Sequence, residues 1–284
     1  MRISSRISHY AGFVALLLLA ATMPAMAEDD AVWPDLKREL FDARTINDGG
    51  ALLQLDAPHH PQDAGLVPIG IRILRDQSPG WHVKTLTLVA DRNPVPVAAV
   101  FRLAGDAGIG HIVTRIRIDR YSDVRVIAEA SDGQLYMVSR YIKATGGCSA
   151  PAMSGADGEN KIGEMRLRQH RLQADSADPA SWQAGSSLVL QIRHPNHSGF
   201  QKHPLQGYFI PAHFVETIAI QRNGAPLLSV EGAISLSENP TIRFDYSGER
   251  DGEISVRAQD TDGTVFSRSW PLRQLQRDSA LRHN

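Results

Sequence analysis

The chain of 284 residues contains a single cysteine, Cys148, and that residue is its strongest candidate for chemistry. A thiolate is a competent nucleophile toward sulfur, and with no second cysteine any disulfide or sulfur adduct it forms must be resolved from outside the chain. Cys148 follows Gly146-Gly147 and precedes Ser149-Ala150-Pro151. Buried free cysteines sit in strands among Val, Ile and Leu, so this setting predicts an exposed, mobile thiol. Histidines form the competing constellation. His194 and His197 have the spacing of two metal ligands, with His203 and His213 following, yet no cysteine or carboxylate accompanies them at a zinc spacing. No metal site is expected from them. His111 or His213 would serve as the base of a cysteine-nucleophile enzyme only if the thiol were fixed in a pocket. No Gly-rich phosphate loop, nucleophilic serine motif or paired-carboxylate pattern stands out.

The elements that must position Cys148 read as β. Period-two or short β-branched runs cover Leu52–Leu55, Val67–Leu74, Val83–Ala90, Val97–Leu103, Ile112–Ile118, Val124–Ala128 and Leu135–Ile142, with turn signals between them. Seven strands in about a hundred residues predict a sandwich. The stretch from Ser149 to Asn160 is almost all small residues without apolar period and reads as a flexible linker. Beyond it strands resume over Glu164–Leu172, Ser187–Arg193, Phe214–Gln221, Thr241–Tyr246, Glu253–Asp260 and Thr264–Trp270. Asn223-Gly224, Asp132-Gly133 and Asp262-Gly263 are hairpin turns by chemistry. One short helix is expected at Trp33–Phe41, where Pro34 suits the first turn and Trp33, Leu36 and Leu40 share a face. The expected class is all-β: two sandwich domains, a flexible linker and one N-terminal helix.

Arg2 and Arg6, the apolar run Ala11–Thr22 and the Ala25-Met26-Ala27 cleavage pattern make Met1–Ala27 a secretory signal peptide, its apolar run too short for a stable membrane span. Lys plus Arg number 30 against 31 for Asp plus Glu, which excludes the basic excess of a nucleic-acid binder and requires any partner to be recognised locally. An exported protein normally uses cysteines in pairs, so a lone one is inert, intermolecular or kept for chemistry.

Two sets of motifs, in order, carry a family resemblance. Gly65-Leu66-Val67-Pro68, Asn93-Pro94-Val95-Pro96, Val113–Ile118, Ala128–Gly133 and Thr145–Cys148 resemble the sulfur-oxidation carrier subunit SoxY. His194-Pro195, Ser198-Gly199, Gly207–Phe214, Ile234-Ser235 and Asn239-Pro240 resemble its partner subunit SoxZ. The order is most similar to fused SoxYZ-like carriers associated with quinoprotein dehydrogenases. The resemblance implies two immunoglobulin-like sandwiches, SoxY-like over 28–148 and SoxZ-like over 161–284, the first ending in a swinging arm. It further implies that sulfur species ride covalently on Cys148, with Gly146 and Gly147 forming that arm, and that no cofactor is needed. The implied partners are periplasmic sulfur-oxidation enzymes, c-type cytochromes and a quinoprotein dehydrogenase system, and a disulfide dimer through Cys148 is a further expectation. In SoxY the cysteine is C-terminal, whereas here the chain continues, so the arm is tethered at both ends. Three readings stand at this level: a periplasmic thiol carrier, a cysteine enzyme with a histidine base, and a non-covalent adaptor of a dehydrogenase complex.

Overall fold

The computed structural model describes residues 32–78, 80–152, 161–171, 186–247, 251–273 and 275. The expected signal peptide, Met1–Ala27, and residues 153–160 of the expected linker lie outside the described residues.

Helix α1 (Val32–Phe41) forms where the Pro34 start signal and the apolar stripe predict it. Trp33, Leu36 and Leu40 are half-buried, while Pro34, Asp35, Arg38 and Glu39 are exposed. Asp35 and Arg38 meet at 3.1 Å across one turn. Among the described residues no helix is long and apolar enough to cross a membrane.

The first half then contributes β1 (Ile46–Asp48), β2 (Leu53–Asp56), β3 (Val67–Ile73), β4 (Val83–Ala90), β5 (Val97–Leu103), β6 (His111–Ile116), β7 (Ser122–Ala130) and β8 (Leu135–Ile142). The second half contributes β9 (Met165–Arg171), β10 (Ser186–Ile192), β11 (Val215–Arg222), β12 (Ala225–Gly232), β13 (Thr241–Tyr246), β14 (Glu253–Asp260) and β15 (Val265–Pro271). Sequence patterning locates all of these except β1 and β12. A three-residue strand with one apolar side chain carries no period, and in β12 Pro226 followed by Leu227-Leu228 breaks the alternation. The turn before β12 is nonetheless legible, since Asn223 (φ 50°) and Gly224 (φ 80°) both take the positive φ that a two-residue hairpin turn requires.

The missed strand matters, because β12 is one of two places where the halves become one. The nine-stranded sheet runs β1-β8-β7-β4-β5-β12-β11-β14-β15 and the six-stranded sheet β2-β3-β6-β13-β10-β9. Both sheets therefore pass from the first half to the second without a break. At the first seam Phe101 stands opposite Val230 and Leu103 opposite Leu228, antiparallel, all four side chains buried. Arg102 and Glu231 close that seam on the solvent side at 3.0 Å, an exposed pair worth under about 1 kcal/mol. At the second seam Ile112 faces Phe244 and His111 faces Asp245, their side chains bonded at 3.1 Å. Buried residues of both sheets and both halves form one apolar cluster. The all-β sandwich class and the short N-terminal helix are as the sequence predicts, and the shared sheets come in addition: among the described residues a chain of ladder hydrogen bonds, rather than the connection after Cys148, holds the halves together.

Candidate functional site

Cys148 lies just past β8, in a turn outside both sheets. The expectation of an exposed, mobile arm is not met: Cys148 has 0% of its surface accessible. The glycines explain why. Gly146 takes φ +76°, open to glycine at little cost, which turns the chain inward. A Cβ on Gly147 would stand 2.1 Å from the Ala64 carbonyl oxygen and 2.6 Å from that of Ile118. These two glycines thus serve close backbone approach and an unusual φ, where the composition had suggested a hinge. Their amides are fixed as well: Gly146 N–H donates to Asp119 O at 2.8 Å and Gly147 N–H to Ile118 O at 2.9 Å.

The second half closes the site from the other side. Ser198 Oγ–H donates to the Cys148 carbonyl and Gln201 Nε2 to Ala150 O at 3.0 Å, so even the first residues of the expected linker are held. Arg117, only 2% exposed, bridges the halves, its Nη2 donating to Asn196 O at 3.0 Å and its Nη1 to Gly147 O at 3.4 Å. Its Nε has no partner among the described residues. Burial lowers the pKa of this guanidinium, while the neighbouring Cys148, Glu238 and Asp63 counteract. Around the thiol the balance runs the other way. Burial, reinforced by the Asp119 carboxylate and opposed by Arg117, pushes Cys148 up to about 12. At neutral pH such a thiol is protonated and, in this position, inert.

Several residues that carry the family resemblance, among them Gly65, Asn93, Arg117 and Ser198, gather around this arm. Asn93 donates from Nδ2 to Arg117 O at 2.7 Å and to Ser235 Oγ at 3.0 Å, and accepts Asp119 N–H on Oδ1 at 2.8 Å, fixing the segment on which the arm rests. Ser237 Oγ–H reaches Gly65 O at 2.7 Å. Asn239 and His194 exchange two bonds, 2.8 Å and 3.2 Å. Sequence reasoning singled out Cys148, Gly146 and Gly147 but missed Arg117, Ser198 and Gln201 as the groups that hold them. Arg117 lies in the motif Val113–Ile118, but it shares the polar side of the alternation with Arg115 and so reads as solvent-facing. Ser198 lies in the motif Ser198-Gly199 and Gln201 in none, and nothing local shows which carbonyls either one meets.

The histidines separate. His111 is bonded to Asp245 at the far end of β6, about 20 Å along the strand from Arg117, too distant to activate the thiol. His194 and His213 pack edge to face with centroids 4.5 Å apart, and Asp260, brought in from β14, supplies the carboxylate that no sequence spacing revealed. His213 Nε2 lies 3.1 Å from Asp260 Oδ2 and His194 Nε2 3.7 Å from it. His194 Nδ1 accepts the Asn196 backbone N–H at 3.0 Å, which leaves the proton of its neutral ring on Nε2, facing Asp260. A metal at that nitrogen would have to displace this proton, so the trio fits a clamp in which His213 is hydrogen-bonded to Asp260 while His194 Nε2 faces the carboxylate beyond hydrogen-bond reach. Burial, with the nearby His213 charge, lowers His194 to about 4. Burial works to raise Asp260, but the His213 and Thr264 hydrogen bonds outweigh it and the net shift is downward. The clamp pins both ends of the excursion His194–His213, whose flanks pair at His197–His213 and Lys202–Phe209.

Comparison with known proteins agrees with this layout. Residues 37–148 match the family described as sulfur oxidation protein SoxY, and residues 180–271 match sulphur oxidation protein SoxZ. No curated protein matches the chain. Among solved structures, the sulfur carrier protein SoxY from Chlorobium limicola f thiosulfatophilum is similar over 40% of this chain and 91% of its own, at 19% identity and a TM-score of 0.34. A superoxide reductase (neelaredoxin) from Ignicoccus hospitalis is similar over 34% of this chain and 82% of its own, at 12% identity and a TM-score of 0.30. The fibronectin(III)-like modules of CbhA from Clostridium thermocellum span 78% of this chain and 92% of their own length, at 10% identity and a TM-score of 0.23. With a SoxY match that runs to Cys148 and a SoxZ match beyond it, in one chain whose sheets are shared, this protein belongs to the sulfur-oxidation carrier family as a fused SoxYZ-like member.

Proposed function

We propose that this chain is a periplasmic carrier that holds sulfur-containing intermediates covalently on Cys148 and presents them to partner enzymes of sulfur oxidation or of a quinoprotein dehydrogenase-linked pathway. The carrying observation is that the SoxY match ends on the chain's sole cysteine, at the tip of a segment outside both sheets. The SoxY and SoxZ domains imply a carrier role rather than an enzymatic one. Export rests on the Met1–Ala27 pattern. The buried arm is then the closed, resting form. Only hydrogen bonds and packing keep it closed, with no covalent tie. Loading with thiosulfate joins Cys148 Sγ to the outer sulfur, releases the thiol proton and removes two electrons, which a c-type cytochrome takes. The test is intact mass spectrometry after incubation with thiosulfate and an oxidised cytochrome partner. Wild type gains the mass of a sulfur adduct and Cys148→Ser does not; an unchanged wild-type mass would refute covalent carriage.

One observation favours a second reading. A thiol with no accessible surface and a pKa near 12 also suits a plain adaptor of a dehydrogenase complex, in which Cys148 is only a small buried side chain. That reading expects no adduct under any loading condition.

A further inference from the structure

The closed site is a close fit around a bare thiol. With 0% of Cys148 accessible, it has no contact with solvent. The residue before it is walled by backbone, since the Ala64 and Ile118 carbonyls stand where a Cβ on Gly147 would fall, and the arm cannot shift toward them to make room. Ala64 and Ile118 both lie outside the strands but are tied together by the Ile118 N–H to Ala64 O bond of 2.8 Å, and close-packed backbone does not give way as a flexible side chain does. A second sulfur bonded to Sγ extends about 2.05 Å beyond it, and a residue with no accessible surface has no free space beside it for such an atom. A terminal sulfonate would add a negative charge to a site that already contains the Asp119 carboxylate and strongly disfavours even a thiolate. Arg117, the local cation, is committed to Gly147 O and Asn196 O.

We infer that the docked arm marks an empty carrier: Cys148 fits its cradle only without cargo, so attaching a sulfur-bearing group drives the segment Thr145–Ala150 out and holds it out until the cargo leaves. Docking and loading thus exclude each other, and the load itself sets the conformation a partner meets. Expulsion releases Ser198 and Gln201 of the second half from the carbonyls of Cys148 and Ala150, and Arg117 of the first half from that of Gly147, so a polar cradle formed by both halves becomes accessible only in the loaded state. The closed form in turn keeps an empty thiol away from oxidants. The physiological use of this exclusion rests on the carrier reading above, but the exclusion itself does not.

Tetrathionate loads the thiol chemically and provides the test. The Cys148 thiolate, its proton lost to solvent during transient opening, attacks an inner sulfur of tetrathionate. The new bond gives Cys148–S–S–SO3⁻, and thiosulfate leaves with the electron pair of the broken S–S bond. The full chain is labelled, the adduct counted by intact mass, and amide hydrogen exchange followed by mass spectrometry. In the loaded protein the peptides holding Gly146, Gly147 and Cys148 are expected to exchange at least tenfold faster than in the empty one. Peptides from β4 and β7 are expected to stay unchanged, and dithiothreitol to restore the original rates. Cys148→Ser treated with tetrathionate should show no change. Three results would overturn the inference: a loaded arm that exchanges at the empty rate, strands that lose protection together with the arm, or a folded protein that takes no label over hours. Absence of an adduct from thiosulfate and cytochrome would count against the carrier reading alone, because tetrathionate loading needs no partner.

Discussion

The arm around Cys148 and the hairpin that covers it are built from opposite materials and end in opposite environments. Gly146-Gly147-Cys148 offers almost no apolar surface, yet Gly147 and Cys148 are buried. Phe200, Leu205, Tyr208 and Phe209, on the excursion from His194 to His213, are large and apolar, yet each is between 43% and 91% exposed. Burial here follows shape. Small residues let one backbone come within hydrogen-bond reach of another, as Gly147 does against Ile118 and Ala64, whereas bulky side chains on a hairpin tip have no facing groove to enter. Hydrophobicity governs the sheets, and hydrogen-bond geometry governs the site.

The largest effect should come from the arm. Gly147→Ala places a methyl group against two carbonyls and is expected to prevent docking. The pKa of Cys148 would then fall from about 12 toward the ordinary thiol range, so native alkylation by iodoacetamide at pH 7.5 should accelerate by more than about a hundredfold, with both sheets intact. An unchanged rate would mean that the carbonyls move aside and that close approach is not what the glycine provides.

The clamp under the hairpin should set the acid stability. His194 is held near 4 in the folded protein against about 6.5 in an unfolded chain. Between those values the unfolded chain takes up a proton that the folded one refuses, so stability is complete above about pH 6.5. It declines as pH falls toward 4, by roughly 2–4 kcal/mol from this group. Asp260, whose pKa is lowered in the fold, adds a further loss at still lower pH. Urea midpoints measured from pH 7.5 to 4.5 should show the slope in wild type and a flatter profile in His194→Gln.

A smaller change is expected from Ser198→Ala. Losing the hydroxyl leaves the Cys148 carbonyl without its donor, at a cost of about 1 kcal/mol, and alkylation of Cys148 should rise by about five- to tenfold. Leu205→Asp should do least. At 91% exposure it makes no contribution to burial, so both the melting temperature and the alkylation rate should stay within error, stability shifting by under about 0.5 kcal/mol. If Leu205→Asp opened the arm, the hairpin tip would be part of the closure and the contrast between the two regions would collapse.

Local pattern was enough for much of this protein. Period-two runs and turn residues locate thirteen of the fifteen strands within about two residues, and α1 follows from Pro34 and its apolar stripe. Those features depend on neighbours a few residues apart, which is the range over which side-chain period and turn chemistry act. The candidate residue for carriage was equally legible, because a chain with one cysteine leaves no choice of thiol. Its environment was not. Whether Gly146-Gly147 would swing or pack depended on the carbonyls of Ala64 and Ile118 and on the donors of Arg117, Ser198 and Gln201, groups separated from the arm by up to 83 residues. Asp260 joined His194 and His213 across a similar gap, and β12 joined β5 through a strand whose proline hid its period. Ladder pairing, buried hydrogen bonds and desolvation act between such distant partners, and their outcome is fixed when the sheets close, a step that composition and spacing do not encode.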